Sequence, residues 1–283
     1  MTPRLALPQS LPRLLILLAA MLLASACNRT EQAPAATPAA DTAATEAAPA
    51  AKGPAPSEAP PPDPAVQAAV AASVAAAASG PAPVAGTDYV EIAGGQPFDP
   101  LNGKVEVVEI FGYTCPHCAE FQHLVNAWKP SLGADVRFSY VPAPFGGYWE
   151  PYAKAYYAAE AMGVQAQSHD AVFRAVHIDR SLPVQPVPTD EQISAFYANF
   201  GVNAKEFAST MSSFAVAGKM NRAKQFITRS FGNDTASTPT LIVNGKYRIT
   251  GKSFEDNLRI ATQLVAQERA AQPTGQGQAA AKP

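Results

Sequence analysis

Cys115 and Cys118 stand in the stretch Phe111-Gly112-Tyr113-Thr114-Cys115-Pro116-His117-Cys118. Val105, Val107, Val108 and Ile110 before it are β-branched, and Phe121, Leu124, Val125 and Trp128 after it recur with helical spacing. The pair therefore sits at a strand-to-helix junction, with Cys115 at the helix start. There the backbone N–H groups have no intrahelical partner and the helix dipole is positive, so a thiolate is favoured over a thiol. Pro116 suits a first turn, where a missing N–H costs nothing. The competing chemistry for such a pair is a metal site. A structural zinc needs four ligands, and the chain offers only His117, His123, His169 and His177 besides the pair. His123 lies more than a turn from Cys118, so no metal is expected, and His123, His169 and His177 read as surface or packing residues.

A helix N-terminus contributes roughly 0.3–2 kcal/mol. Moving a cysteine pKa from ~8.5 to the low end of the known range, ~3.5, requires about 7 kcal/mol. Direct donors must supply the rest. The candidates are the His117 ring, the Cys118 thiol and backbone N–H groups, each giving a charge-assisted bond to sulfur. A thiolate stabilised in this way makes the corresponding disulfide a strong oxidant.

The elements that hold the pair follow from patterning. Tyr89–Ile92 is a short strand, Gly94-Gly95 a turn, and Lys104–Phe111 a central, doubly covered strand interrupted by Glu109. Lys129-Pro130 closes the helix. Val136–Val141 is the next strand, parallel to the central one through a βαβ crossover. About 80 helical residues come next: Trp149–Met162, Ser168–Arg180, a helix opened by a Thr189/Gln192 capping box and closed by Gly201, Asn203–Met211, and Ser213–Phe231 stopped by Gly232. In the last of these Phe214, Met220, Ala223, Ile227 and Phe231 form the expected apolar stripe. A hairpin, Thr240–Val243 and Lys246–Ile249 around Asn244-Gly245, precedes a final helix capped by Ser253, with Asp256 at its third position and Phe254, Leu258, Ala261 and Val265 on one face.

The Cys-Pro-His-Cys run resembles the bacterial DsbA-type thiol:disulfide oxidoreductases of the thioredoxin superfamily. A second segment, Ser237-Thr238-Pro239-Thr240-Leu241-Ile242-Val243-Asn244-Gly245-Lys246-Tyr247, is similar to the family stretch in which a cis-proline opens a strand. Together they span about residues 89–270. The resemblance implies an α/β thioredoxin fold with a helical insertion, about residues 149–232, between the βαβ and ββα halves. It implies a cis Pro239 that holds Thr238 against the redox pair, ready to pair with an extended substrate; the alternative is a trans Pro239 at the start of an edge strand. It also places a carboxylate, Glu109, six residues before Cys115 beneath the pair, as a proton-transfer group of raised pKa; the alternative is that Glu109 points to solvent from a strand end. No cofactor is implied. The activity implied is a thiol oxidase that donates its Cys115–Cys118 disulfide to unfolded or reduced exported polypeptides and is re-oxidised by a DsbB-type membrane quinone oxidase. An isomerase or reductase of the same fold, and a lipoprotein binding module whose cysteine pair is only structural, stand as alternatives. Family isomerases usually carry an N-terminal dimerisation domain, for which this chain has no foldable substitute, so an oxidase and a monomer are expected.

The chain has 283 residues, 47 % apolar side chains and a net charge of −2, so neither nucleic acid nor an anionic membrane surface is an expected partner. Arg4 and Arg13 precede the apolar run Leu14–Leu23, and Ala24-Ser25-Ala26 stands before Cys27, which together read as an export signal over residues 1–26. Small residues leading to a cysteine resemble a bacterial lipobox, with Leu23 one place early, so Cys27 is expected to carry the lipid that anchors the protein in the periplasm. Ordinary cleavage leaving Cys27 free is the alternative. Asn28 lacks the aspartate character associated with inner-membrane retention, which favours the outer membrane. Residues 27–87, rich in Ala and Pro, are expected to be a disordered tether in which Ala65–Ser79 is at best a transient helix. The domain is expected over 88–270 and a polar tail over 271–283.

Overall fold

The computed structural model describes residues 63–272. The export signal, Cys27, the tether up to residue 62 and the tail from 273 lie outside the described residues.

Five strands form one sheet in the order β1-β5-β4-β2-β3: β1 Tyr89–Glu91, β2 Val105–Phe111, β3 Val136–Pro142, β4 Thr240–Val243 and β5 Tyr247–Ile249. β2 runs parallel to β3 and antiparallel to β4, as expected for a βαβ half joined to a ββα half. Every residue of β2 is buried. Up to Ile110 its side chains alternate between two cores, and Phe111 departs from that alternation by joining the same core as Ile110. Val108 and Ile110 join the core under the helical insertion, whereas Val105 and Val107 join the one beneath α2 (Pro116–Trp128) and α8 (Phe254–Ala271). Glu109 shares the alternation of Val105 and Val107. The β4–β5 turn is Asn244-Gly245, both at positive φ (50° and 65°), a conformation that favours these two residue types.

The insertion comprises α3 (Trp149–Ala161), α4 (Gln165–His177), α5 (Asp190–Tyr197), α6 (Ala204–Met211) and α7 (Phe214–Phe231). The Thr189/Gln192 capping box is present, Asn203 and Ser213 cap the next two helices, and Ser253 caps α8. One stripe residue fails: Phe214 is 95 % exposed, and Val216, Met220, Ala223, Phe226, Ile227 and Phe231 form the buried face instead. Phe214 is the first residue of α7, with no preceding turn to pack beside it.

The expected tether also needs correction. α1, Pro64–Ser79, is a formed helix capped by Asp63, and it packs on α8 and α2. It buries Val70 and Ser73, and the Gln263 side-chain amide donates to the carbonyls of Ala77 (3.2 Å) and Pro81 (2.9 Å). A 16-residue alanine-rich helix is marginal alone; apolar surface supplied by α2 and α8 stabilises it. The described fold therefore includes residues 63–87, expected from sequence to belong to the tether.

Candidate active site

Cys115 is the N-cap residue of α2 and Pro116 its first helical residue. Both cysteines are free thiols in this structure. The Cys115 pKa is lowered to about 5, chiefly by hydrogen bonding from the Cys118 thiol, opposed by burial, and helped by the Thr238 side chain and the backbone N–H groups of Cys118 and His117. The Cys115 thiol also donates to the Thr238 carbonyl at 3.5 Å, a long contact that favours the neutral form and is outweighed by the donors. The His117 ring, a candidate donor from sequence, is not among them. It is exposed, with Nδ1 3.4 Å from Glu120 Oε2, and His117 acts on the sulfur through its backbone.

Cys118 is fully buried, and burial pushes its thiol well above the ordinary range; the bond it gives to Cys115 and the charges of Cys115 and Glu109 act in the same direction. Glu109 is 0 % exposed, and neither carboxylate oxygen has a hydrogen-bond partner among the described residues. Of the two sequence alternatives, the buried one holds. Burial raises its pKa to about 8, Lys129 lowers it and Cys115 raises it.

Thr238-Pro239 is a cis peptide bond at the start of β4, and its carbonyl contact with Cys115 brings the second motif to the first. Gly112 is required where it stands, because a Cβ there falls 2.1 Å from the Trp149 ring, which covers the strand-to-helix turn.

Sequence reasoning missed the polar groups around this centre. Gln122 donates to Tyr140 Oη (3.0 Å) and Asp170 (2.9 Å), Asn126 donates to Asp170 (2.8 Å), and Lys129 Nζ donates to Tyr140 Oη (3.1 Å). These bonds tie α2 and β3 to α4 of the insertion. His169, read as a packing residue, is buried among Phe111, Tyr113, Tyr140 and Phe173, and its Nδ1 is 2.8 Å from Tyr113 Oη. Burial lowers its pKa to about 3, so the ring is neutral. His177 Nε2 donates to the Tyr113 carbonyl at 2.7 Å, two residues before Cys115, and His123 is exposed. The only advance signal for this set was the polar spacing Gln122, Asn126, Lys129 along one helix.

A dithiol of such unequal acidity at the helix following a central parallel strand is the working part of a thioredoxin-fold thiol:disulfide oxidoreductase. A family model described as Thioredoxin matches residues 100–261, more than half of the chain. The thiol:disulfide interchange protein DsbA of Pseudomonas aeruginosa is 39% identical over 190 residues, covering 66% of this chain and 86% of that protein. The DsbA of Azotobacter vinelandii is 38% identical, covering 66% and 85%. The crystal structure of the oxidoreductase DsbA from Xylella fastidiosa superposes with a TM-score of 0.64 at 48% identity, covering 66% of this chain and 98% of that one. The chain belongs to the DsbA family of thiol:disulfide interchange proteins.

Proposed function

We propose that the protein is a disulfide donor in the periplasm, passing its Cys115–Cys118 bridge to reduced, unfolded exported polypeptides. The observation that carries the direction is the preference of Cys115 for the anion, with a pKa of about 5. A substrate thiolate attacks the Cys115 sulfur, the Cys115–Cys118 bond breaks, and Cys118 leaves as a thiolate that takes a proton. A second substrate thiolate then attacks the substrate sulfur of the mixed disulfide and expels Cys115 as the stabilised thiolate. Glu109 supplies the proton that Cys118 gains, and accepts it when a partner re-oxidises the pair. Thr238 offers backbone groups to an extended substrate beside Pro239, a mode that reads main chain and suits many sequences.

By family resemblance the re-oxidant is a DsbB-type membrane quinone oxidase and the protein acts as a monomer. No helix among the described residues is long and apolar enough to cross a membrane. The export signal and Cys27 support a lipid anchor, on the outer membrane by the character of Asn28. Equilibration with glutathione tests the donor direction: a potential well above the ~−270 mV of thioredoxin is expected, and a value near it would overturn the assignment. Metabolic acyl labelling tests the anchor, since labelling that persists in Cys27→Ala refutes it.

A further inference from the structure

His169, Phe173 and His177 recur every four residues along α4, which puts them on one face of that helix. All three meet Tyr113. His169 Nδ1 lies 2.8 Å from the Tyr113 hydroxyl, the Phe173 ring stands edge-on to the Tyr113 ring at 5.1 Å, and His177 Nε2–H donates to the Tyr113 carbonyl at 2.7 Å. One helix of the insertion thus holds Tyr113 at its hydroxyl, at its ring and at its backbone. Tyr113 lies where the chain turns from β2 into α2. The Cys115 N–H closes that turn by donating to the Gly112 carbonyl at 3.0 Å, and Cys115 is the N-cap residue of α2. Apart from the Thr238 side chain, the donors that stabilise the Cys115 anion all stand in the first turn of α2: the Cys118 thiol and the N–H groups of Cys118 and His117. A hydrogen bond weakens steeply as its angle departs from linear. The path of the backbone through Tyr113 and Thr114 therefore decides how well the sulfur meets those donors.

We propose that His169 and His177 are positioning residues, which clasp Tyr113 from the insertion and so hold the Cys115 sulfur against the donors of α2. The proposal rests on the anion preference of Cys115 that carries the donor assignment above. Neither imidazole hydrogen-bonds a cysteine sulfur among the described residues, so both act through residue 113. The two grips differ in kind. His169 is buried and neutral, and it fixes the far end of a side chain that is itself 1 % exposed. His177 is half-buried at the end of α4, and it fixes the peptide group that leads into Thr114 and Cys115. A carbonyl can only accept, so His177 Nε2 carries its hydrogen here, and any side chain with an N–H at that reach can replace it.

The test is the Cys115 titration midpoint of the full chain, read from thiolate absorbance, together with its disulfide equilibrium against glutathione. In His177→Leu, which keeps bulk and removes the donor, the midpoint rises by roughly 0.5–1 pH unit and the equilibrium shifts about three- to tenfold towards the disulfide. The Cys115 amide loses hydrogen-exchange protection in the same variant. His177→Gln, with an amide N–H at similar reach, restores all three readings. Tyr113→Phe keeps the ring, loses the His169 bond and moves the midpoint in the same direction. Arg174→Ala, on the exposed side of α4, leaves the midpoint where it is. If His177→Leu lowers the urea midpoint while Cys115 still titrates at about 5, the contact only stabilises the fold and the positioning role is overturned. Equal shifts in the Leu and Gln variants overturn the hydrogen bond as its cause, and an unmoved Tyr113→Phe overturns the part given to His169. A wild-type midpoint near ~8.5 instead sinks the donor assignment itself, a result distinct from these.

Discussion

The sharpest consequence of the Cys115 environment is the pH dependence of the disulfide potential. A folded-state pKa of about 5 lies below the ~8.5 of an unperturbed thiol. For a depressed acid the stabilisation is complete above the unperturbed value and is lost as pH falls through the folded one. At pH 7 this amounts to about 3 kcal/mol in favour of the folded dithiol, and the disulfide, which has no thiolate, gains none of it. At 1.4 kcal/mol per 30 mV, the couple is about 60 mV more oxidising than the same pair with an ordinary thiol. The slope is more telling than the offset. Below pH 5 reduction takes up two protons with two electrons, and the potential falls by about 59 mV per pH unit. Above pH 5 only Cys118, whose thiol is pushed up, takes a proton, and the slope halves to about 30 mV. Equilibration against a dithiol of known potential from pH 4 to 7 measures this directly, with the dithiol fraction read after alkylation. A slope near 59 mV throughout means that Cys115 is an ordinary thiol, and the donor argument fails with it.

Three further outcomes follow from other parts of the structure. Glu109→Gln is expected to stabilise the reduced domain at pH 7 by about 3 kcal/mol in urea unfolding, with no gain near pH 4, because a raised acid costs nothing below its unfolded value and progressively more as pH rises toward 8; a pH-independent effect contradicts the burial argument. Thr238→Val removes a side-chain donor to the sulfur, and a charge-assisted bond of roughly 1.5–3 kcal/mol should raise the Cys115 midpoint by about one unit or more, read from thiolate absorbance. Val70→Asp buries an unpaired charge between α1 and the α2/α8 face, so hydrogen-exchange protection over residues 64–79 should disappear while the redox potential stays put.

The sheet and most helix ends were legible because each rests on local chemistry: alternation and β-branching for β2, Asn-Gly for the hairpin, Thr189 with Gln192 for α5, Gly232 after α7. α1 was misread for the converse reason. Its alanine-rich sequence has little amphipathic signal, and what fixes it is surface provided by α8 some 190 residues later in the chain. The two motifs of the site were legible as residue types, but the environment of Glu109 was not. A strand buried on both faces gives no sign in its pattern of whether an embedded acid is covered. Lys129, Tyr140, Gln122 and Asp170 come from a helix end, an edge strand and the insertion, and only the tertiary fold makes them neighbours. The His117 ring was nominated by proximity in sequence, and the helix geometry turns it outward while its N–H stays with the sulfur.

The opposite behaviour of the two thiols follows from their places at the start of α2. Cys115, at the N-cap, lies outside the helical hydrogen-bond ladder, where backbone N–H groups are free to face an anion. Cys118, one turn in, is enclosed, and its own thiol is the principal donor to Cys115. Burial is the main cause that raises the Cys118 pKa, and the hydrogen bond that lowers the Cys115 pKa adds to it, so the leaving group of the donor reaction and the thiol that needs a base are set apart in part by the same contact. A sulfur made so reluctant to ionise cannot attack the mixed disulfide at useful rates unaided. A buried acid poised near neutrality is the complement the proposed mechanism calls for, and Glu109, fully buried on β2 with its pKa raised to about 8 by burial, has that character.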